Sequence, residues 1–199
     1  MQTDWRNEER NYNSDIKFLT RLNITLTSDH DYRSNLDNAL KMIGTYCQND
    51  RVHIIKIYPD MTFTLLHEWH KPSLPSIKNK IKKQKCFFEQ ELEDQLNTHN
   101  YIYIRHASDL NCKELKCFLE DCNIEESLLF PLFSGYLFSF LSFSHCTCQN
   151  SWNKDDIELF TAFSAIIAAN LEKNFIFKKM NYKLKQANQL TAQLTTNRL

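Results

Sequence analysis

Apolar residues recur at helical spacing in the first quarter of the chain. Ile16, Leu19, Leu22, Ile24 and Leu26 mark a helix over 13–27, with Ser14 or Asp15 as its cap. Leu36, Ala39, Leu40 and Ile43 mark a second helix over 31–47. The period then shortens to two. RVHIIKIYP and TFTLLHEWH read as strands joined by Pro59, Asp60 and Met61. In the second strand, strict alternation places Phe63, Leu65, His67 and Trp69 on one face. Pro72 and Pro75 end it, and the charged segment 76–95 is expected to be partly helical. YIYIRH (101–106) is a short strand, and 110–121 is a helix with Leu115, Phe118 and Leu119 inward.

From Ser127 to Asn153 there is no Lys, Arg, Asp or Glu. A membrane helix needs about 20 predominantly apolar residues. Pro131, Gly135 and repeated serines interrupt this run, and Ser134-Gly135 is a turn signal. Two buried strands, 127–133 and 136–144, are expected here and no membrane span. A last helix begins at Asn153, with Asp155, Asp156 and Glu158 favourably placed at its positive end. Phe160, Phe163, Ile166, Ile167 and Leu171 form a broad apolar face. Beyond them the face narrows to Phe177, Met180, Leu184, Ala187, Thr191 and Leu194, the 3-4 spacing of a two-stranded coiled coil. The pattern runs to the final residues without a stop signal, so a natural continuation is expected.

Composition narrows the function. Lys+Arg and Asp+Glu are both 24, so no net field favours nucleic acid or an acidic membrane. The lysines at 78, 80, 82, 83 and 85 read as a solvated face. Seven cysteines without disulfide-framework spacing, and a polar N-terminus without an apolar signal core, point to reduced thiols in the cytoplasm.

His67-Glu68-Trp69-His70 superficially matches two catalytic motifs. A zinc-protease helix needs histidines at i and i+4, but position 71 is Lys. A kinase phosphoacceptor box needs a long helix and an ATP-binding domain rich in glycine. This segment is strand-like and the chain has only Gly44 and Gly135. Neither a metal site nor a catalytic constellation is expected.

The order of elements resembles a GAF domain over residues 15–173. The resemblance rests on Glu68-Trp69 closing the second strand, the run from Asn123-Ile124 through Ser127-Leu128-Leu129-Phe130-Pro131-Leu132, and Ser151-Trp152 before the last helix. It implies an α+β fold: a central antiparallel sheet of about six strands, with the N- and C-terminal helices packed on one face. Variable loops and the 110–121 helix would cover the other face, above any small-molecule pocket. The expected organisation is a frayed or disordered tail (1–13), a sensory domain (14–172) and a coiled-coil signalling helix (173–199).

The resemblance implies a non-catalytic sensory and dimerisation module. It would relay a small-molecule or packing signal through the terminal helix to an effector such as a histidine kinase output region. The homodimer would use Phe177, Met180, Leu184, Ala187 and Leu194. His67, Trp69, Tyr103 and His106 are the candidate ligand-binding residues, and the cofactor is left open. A cyclic-nucleotide signature begins at Asn153, Lys154 and Phe160, but its Asp-Glu pair is replaced by Ser164 and Ala165. His145-Cys146 pairs the residue types of a bilin site at a strand end. The alternative is a thiol enzyme of the GAF-type methionine-sulfoxide reductase class, although Cys86 is followed by Phe87-Phe88 instead of glycine. Cys112, Cys117 and Cys122 recur every fifth residue and so share no helix face, while Cys146 and Cys148 would share a strand face.

Overall fold

A computed structural model describes the backbone of residues 4–28, 31–60, 62–78, 80–81, 84–85, 90–134, 137–147 and 152–196. The elements are α1 (Asp4–Thr27), α2 (Tyr32–Tyr46), β1 (Arg51–Ile57), β2 (Thr62–His70), β3 (Gln84–Lys85), α3 (Gln90–His99), β4 (Ile102–Ile104), α4 (Lys113–Asp121), β5 (Glu126–Ser134), β6 (Leu137–His145) and α5 (Lys154–Thr196). A 3-10 turn at Ala107–Asp109 separates β4 from α4. The strands form one antiparallel sheet in the order β3-β2-β1-β6-β5-β4. This is the α+β arrangement expected from the sequence. The charge-free run is indeed a strand pair, β5 and β6, in register from Glu126↔His145 to Ser134↔Leu137. Among the described residues no helix is long and apolar enough to cross a membrane. Gly135 and Met61, placed in turns by the sequence, lie outside the described residues.

One sheet face carries α1, α2 and α5. Phe18, Leu22 and Leu26 of α1 and Leu36, Leu40 and Ile43 of α2 are buried there with Phe160, Phe163 and Ile167 of α5. Ile16 and Ile24, by contrast, point to solvent. The α1 backbone is helical from Asp4, earlier than the apolar pattern marks it. Asp31 caps α2, its carboxylate accepting from the Arg33 and Ser34 N–H groups at 3.2 and 3.3 Å. The opposite face packs Leu119 of α4, Leu92 of α3 and the Ile77 and Ile81 side chains against Ile57, Phe63, Ile104 and Phe140. Leu115 and Phe118 join this layer, as their spacing predicted. In the middle segment the helix lies at Gln90–His99, later than the charge pattern suggested, and β3 was not foreseen.

Pro131 is tolerated in β5 because β4 pairs only with Ser127–Leu129. The sheet is therefore open on that side where the missing N–H falls.

One irregularity repositions the candidate site. The β1–β2 register slips between Ile54 and Ile55: Ile54 faces His67, while Ile55 faces Leu65. The extra residue, Leu66, is a β-bulge, and a bulge reverses the alternation beyond it. Phe63 and Leu65 therefore share one face, while His67 and Trp69 occupy the other.

Candidate functional site

Beneath α4 and the 76–81 loop lies a cavity of about 60 Å³. Its walls are nearly all hydrocarbon, supplied by residues such as Ile55, Phe63, Leu65, Ile81, Leu119 and Leu129. Four polar side chains also border it: His53, Ser127, Ser142 and Ser144. Antiparallel register brings them together, because His53 pairs with Ser142, Arg51 with Ser144, and Ser144 with Ser127. The Ser127 hydroxyl lies 3.1 Å from that of Ser142 and 3.0 Å from that of Ser144. All three serines are buried.

An ion pair sits beside this cluster. Arg51 and Glu68 have side chains 1% and 4% exposed, with Nη1 3.4 Å from Oε1. The same Nη1 donates to the Pro75 carbonyl at 2.9 Å. Glu68 also accepts from the Ile77 N–H at 2.9 Å, from the Lys78 N–H at 3.3 Å and from the Ser76 hydroxyl. One carboxylate thus ties the sheet to the loop that carries Ile77 and Ile81 over the cavity. Burial alone would raise the Glu68 pKa, but neighbouring His53, the Ile77 N–H and Ser76 outweigh it and bring it to about 2. His53 is 3% exposed, with Nε2 3.7 Å from Glu68 Oε1, too long for a full hydrogen bond but close enough for the ring to favour the charged carboxylate. Its Nε2 has no hydrogen-bond partner. Burial lowers the His53 pKa, keeping the ring neutral.

The four residues proposed from sequence do not line this cavity. Beyond the bulge, His67 turns toward α2, with Nδ1 2.7 Å from Asp37 Oδ1. Trp69 packs over Gly44, where an added Cβ would fall 2.0 Å from the indole. Tyr103 lies across the sheet, donating its O–H to Glu126, with its ring 5.9 Å from that of Trp152. Three strands separate β2 from β4, so the two pairs stand roughly 19 Å apart at ordinary strand spacing. His106 is exposed, just before the 3-10 turn. Tyr103 and His106 share only a cleft at the β4 edge. The sequence reading missed His53, Ser127, Ser142 and Ser144. Their signal was present: Arg51 and His53 alternate with Val52 and Ile54 in β1, and Ser142 and Ser144 alternate with Leu141 and Phe143 in β6.

His145 stacks on Trp152 at 4.6 Å, on the helix side of the sheet. The Cys146 N–H donates to Asp50 Oδ2 at 2.7 Å, and Lys71 pairs with Asp50 at 2.6 Å. Burial pushes the Cys47 and Cys146 thiols up, and pushes Cys122 up to about 11. Cys86 and Cys148 lie outside the described residues. No group of His, Cys, Asp and Glu among the described residues could hold a metal ion.

No protein-family model and no curated protein matches this sequence. Solved structures do match in fold. The phycocyanobilin-bound GAF domain from a cyanobacterial phytochrome superposes with a TM-score of 0.65 at 14% identity, covering 81% of this chain and 96% of that one. The blue-light absorbing form of the Thermosynechococcus elongatus PixJ GAF domain gives 0.62 at 14% identity, covering 85% and 95%. The photoproduct state of GAF3 from Slr1393 of Synechocystis sp. PCC6803 gives 0.59 at 14% identity, covering 74% and 98%. With sheet order, helix layers and these superpositions in agreement, the fold of this chain is that of a GAF domain.

Proposed function

We propose that this chain is a non-catalytic sensory and dimerisation module. It passes a small-molecule or packing signal from the sheet through α5 to a downstream effector such as a histidine kinase output region. The observation that carries this reading is α5 itself. It is an unbroken helix of 43 residues. Its first half is anchored in the core by Phe160, Phe163 and Ile167, each 0% exposed. Its second half presents Phe177, Met180 and Leu184, each at least 60% exposed. Among the described residues the exposed large hydrophobics all fall on α1 and α5: Tyr12, Ile16, Ile24, Ile176, Phe177, Met180, Tyr182 and Leu184. Large apolar side chains gathered on two terminal helices mark a surface to be covered. The 3-4 spacing of the α5 stripe, continued in sequence to Leu194, suits a parallel copy of itself. The Leu194 side chain lies outside the described residues.

The phycocyanobilin bound by one structural neighbour is too large for this cavity. The cavity, about 60 Å³, falls far below the ~300–1,000 Å³ that holds drug-sized ligands. Among the described residues no cysteine lines it. Burial raises the Cys47, Cys122 and Cys146 pKa values, which leaves these three little thiolate at neutral pH for the thiol-enzyme alternative.

Light scattering of the wild type and of the Leu184→Asp/Leu194→Asp variant tests the proposal. The wild type is expected to form a dimer with micromolar affinity, roughly 8 kcal/mol. The variant is expected to be monomeric with unchanged circular dichroism. A wild type that stays monomeric at high concentration removes the dimerisation claim.

A further inference from the structure

The polar end of the cavity carries an inference that rests on the sensory reading and names its ligand class. Three facts converge there. The space is enclosed mainly by hydrocarbon, which disfavours filling by water alone. His53, 3% exposed, borders it, and its Nε2 makes no hydrogen bond. Three buried serine hydroxyls cluster on neighbouring strands of the same wall. An imidazole nitrogen and hydroxyls can between them donate and accept, so the matching group on a ligand is one that does both.

We propose that this cavity admits a small uncharged alcohol. Its hydrocarbon part lies among Ile55, Phe63, Leu65 and Leu129, and its hydroxyl meets His53 and the Ser127–Ser142–Ser144 cluster. Charge decides against an acid or an amine. Arg51 and Glu68 already neutralise each other, so a third buried charge would enter without a counter-ion. Size decides the scale. A water needs about 10–15 Å³ of such space, so this cavity holds roughly four to six atoms of that size. The same site has a built-in connection to its cover. Glu68 stands 3.7 Å from His53 and holds the Ser76, Ile77 and Lys78 segment, so a hydroxyl arriving at His53 lies next to the group that fastens the loop.

Cyclopentanol, cyclopentane and cyclopentanecarboxylate, titrated into the full chain at neutral pH and followed by NMR, test this. Cyclopentanol is expected to saturate and to bind about tenfold more tightly than cyclopentane, the worth of one good hydrogen bond. The carboxylate is expected not to bind. Ser142→Ala/Ser144→Ala is expected to shrink the alcohol preference toward unity while hydrocarbon binding persists. It removes hydroxyls without adding bulk, and circular dichroism checks its fold. Equal affinity for alcohol and hydrocarbon, tighter binding of the carboxylate, or no saturation by cyclopentanol each overturns the proposal. Light scattering on the same samples separates the two readings. A dimer that binds no alcohol overturns this inference alone, and a monomer that binds it overturns the dimer reading alone.

Discussion

In an isolated helix, alanine at position 44 would be favoured over glycine by about 1 kcal/mol. In this protein the Trp69 ring occupies the place of that methyl group, 2.0 Å from where the Cβ would sit. Gly44→Ala is therefore expected to destabilise the fold by about 1–3 kcal/mol, the range for overpacked cores. Urea unfolding checks this, and an unchanged midpoint would contradict the packing of β2 on α2. Glu68 makes a second prediction. Replacing it with Gln leaves Arg51 buried without its counter-charge and weakens the loop contacts, so Glu68→Gln is expected to cost about 3–5 kcal/mol. Titration gives a third. His53 and His145 both have pKa values lowered by burial from the ordinary 6.5. Below about pH 6.5 the unfolded chain takes up protons that the folded chain refuses, so stability is full above that pH and falls as pH drops. Glu68, lowered from 4.5 to about 2, adds a further loss between those values. Denaturant midpoints at pH 7.5 and 5.5 are expected to differ, with the higher pH more stable. Equal midpoints would mean that these rings are charged in the fold.

At the scale of elements, most of the fold was legible because period and punctuation agree. The β5–β6 pair announces itself by a charge-free run with serines and a central turn signal. The helices announce themselves by 3-4 spacing. The candidate site was less legible, and for a definite reason. Alternation assigns faces only while the register holds, and the bulge at Leu66 moved His67 and Trp69 to the helix side. Nothing in TFTLLHEWH marks where an extra residue is absorbed, because that is settled by the partner strand. The middle segment was hard to read because a two-residue strand and a charged helix leave little apolar pattern. Turn chemistry explains another gap. With only two glycines in the chain, left-handed positions fall to other residues: Gln48, Asn100 and Asn123 have φ of 55°, 63° and 51°. Asn123 ends α4, and its N–H donates to the Glu120 carbonyl at 2.9 Å. Asn123→Gly is expected to be neutral or mildly stabilising, whereas Asn123→Ala is expected to cost about 1 kcal/mol. Thermal melts of the pair distinguish this from a simple loss of side-chain contact, which would lower both.

For the whole molecule, the proposed relay requires a path from a cavity on one sheet face to a helix on the other. β5 and β6 are shared by both. Leu129 and Ser142 border the cavity, while their neighbours Phe130 and Phe143 face the helices. Phe143 stacks on Phe160 of α5 at 4.0 Å and 12°. Phe18 meets Phe163 at 5.5 Å, and Leu26 and Asn170 border one cleft, so α1 runs alongside α5 in the same direction. For the proposed relay to work, filling the cavity must shift these strands and the aromatic stack must carry the shift into α5. The most direct test is hydrogen exchange along α5 while the cavity is filled, by cyclopentanol or by the larger side chain of Leu129→Phe. Altered exchange is expected at 76–81 and also at 174–189, the second change being lost in the Leu184→Asp/Leu194→Asp variant. Exchange that changes around the cavity but stays identical at 174–189 would contradict the relay.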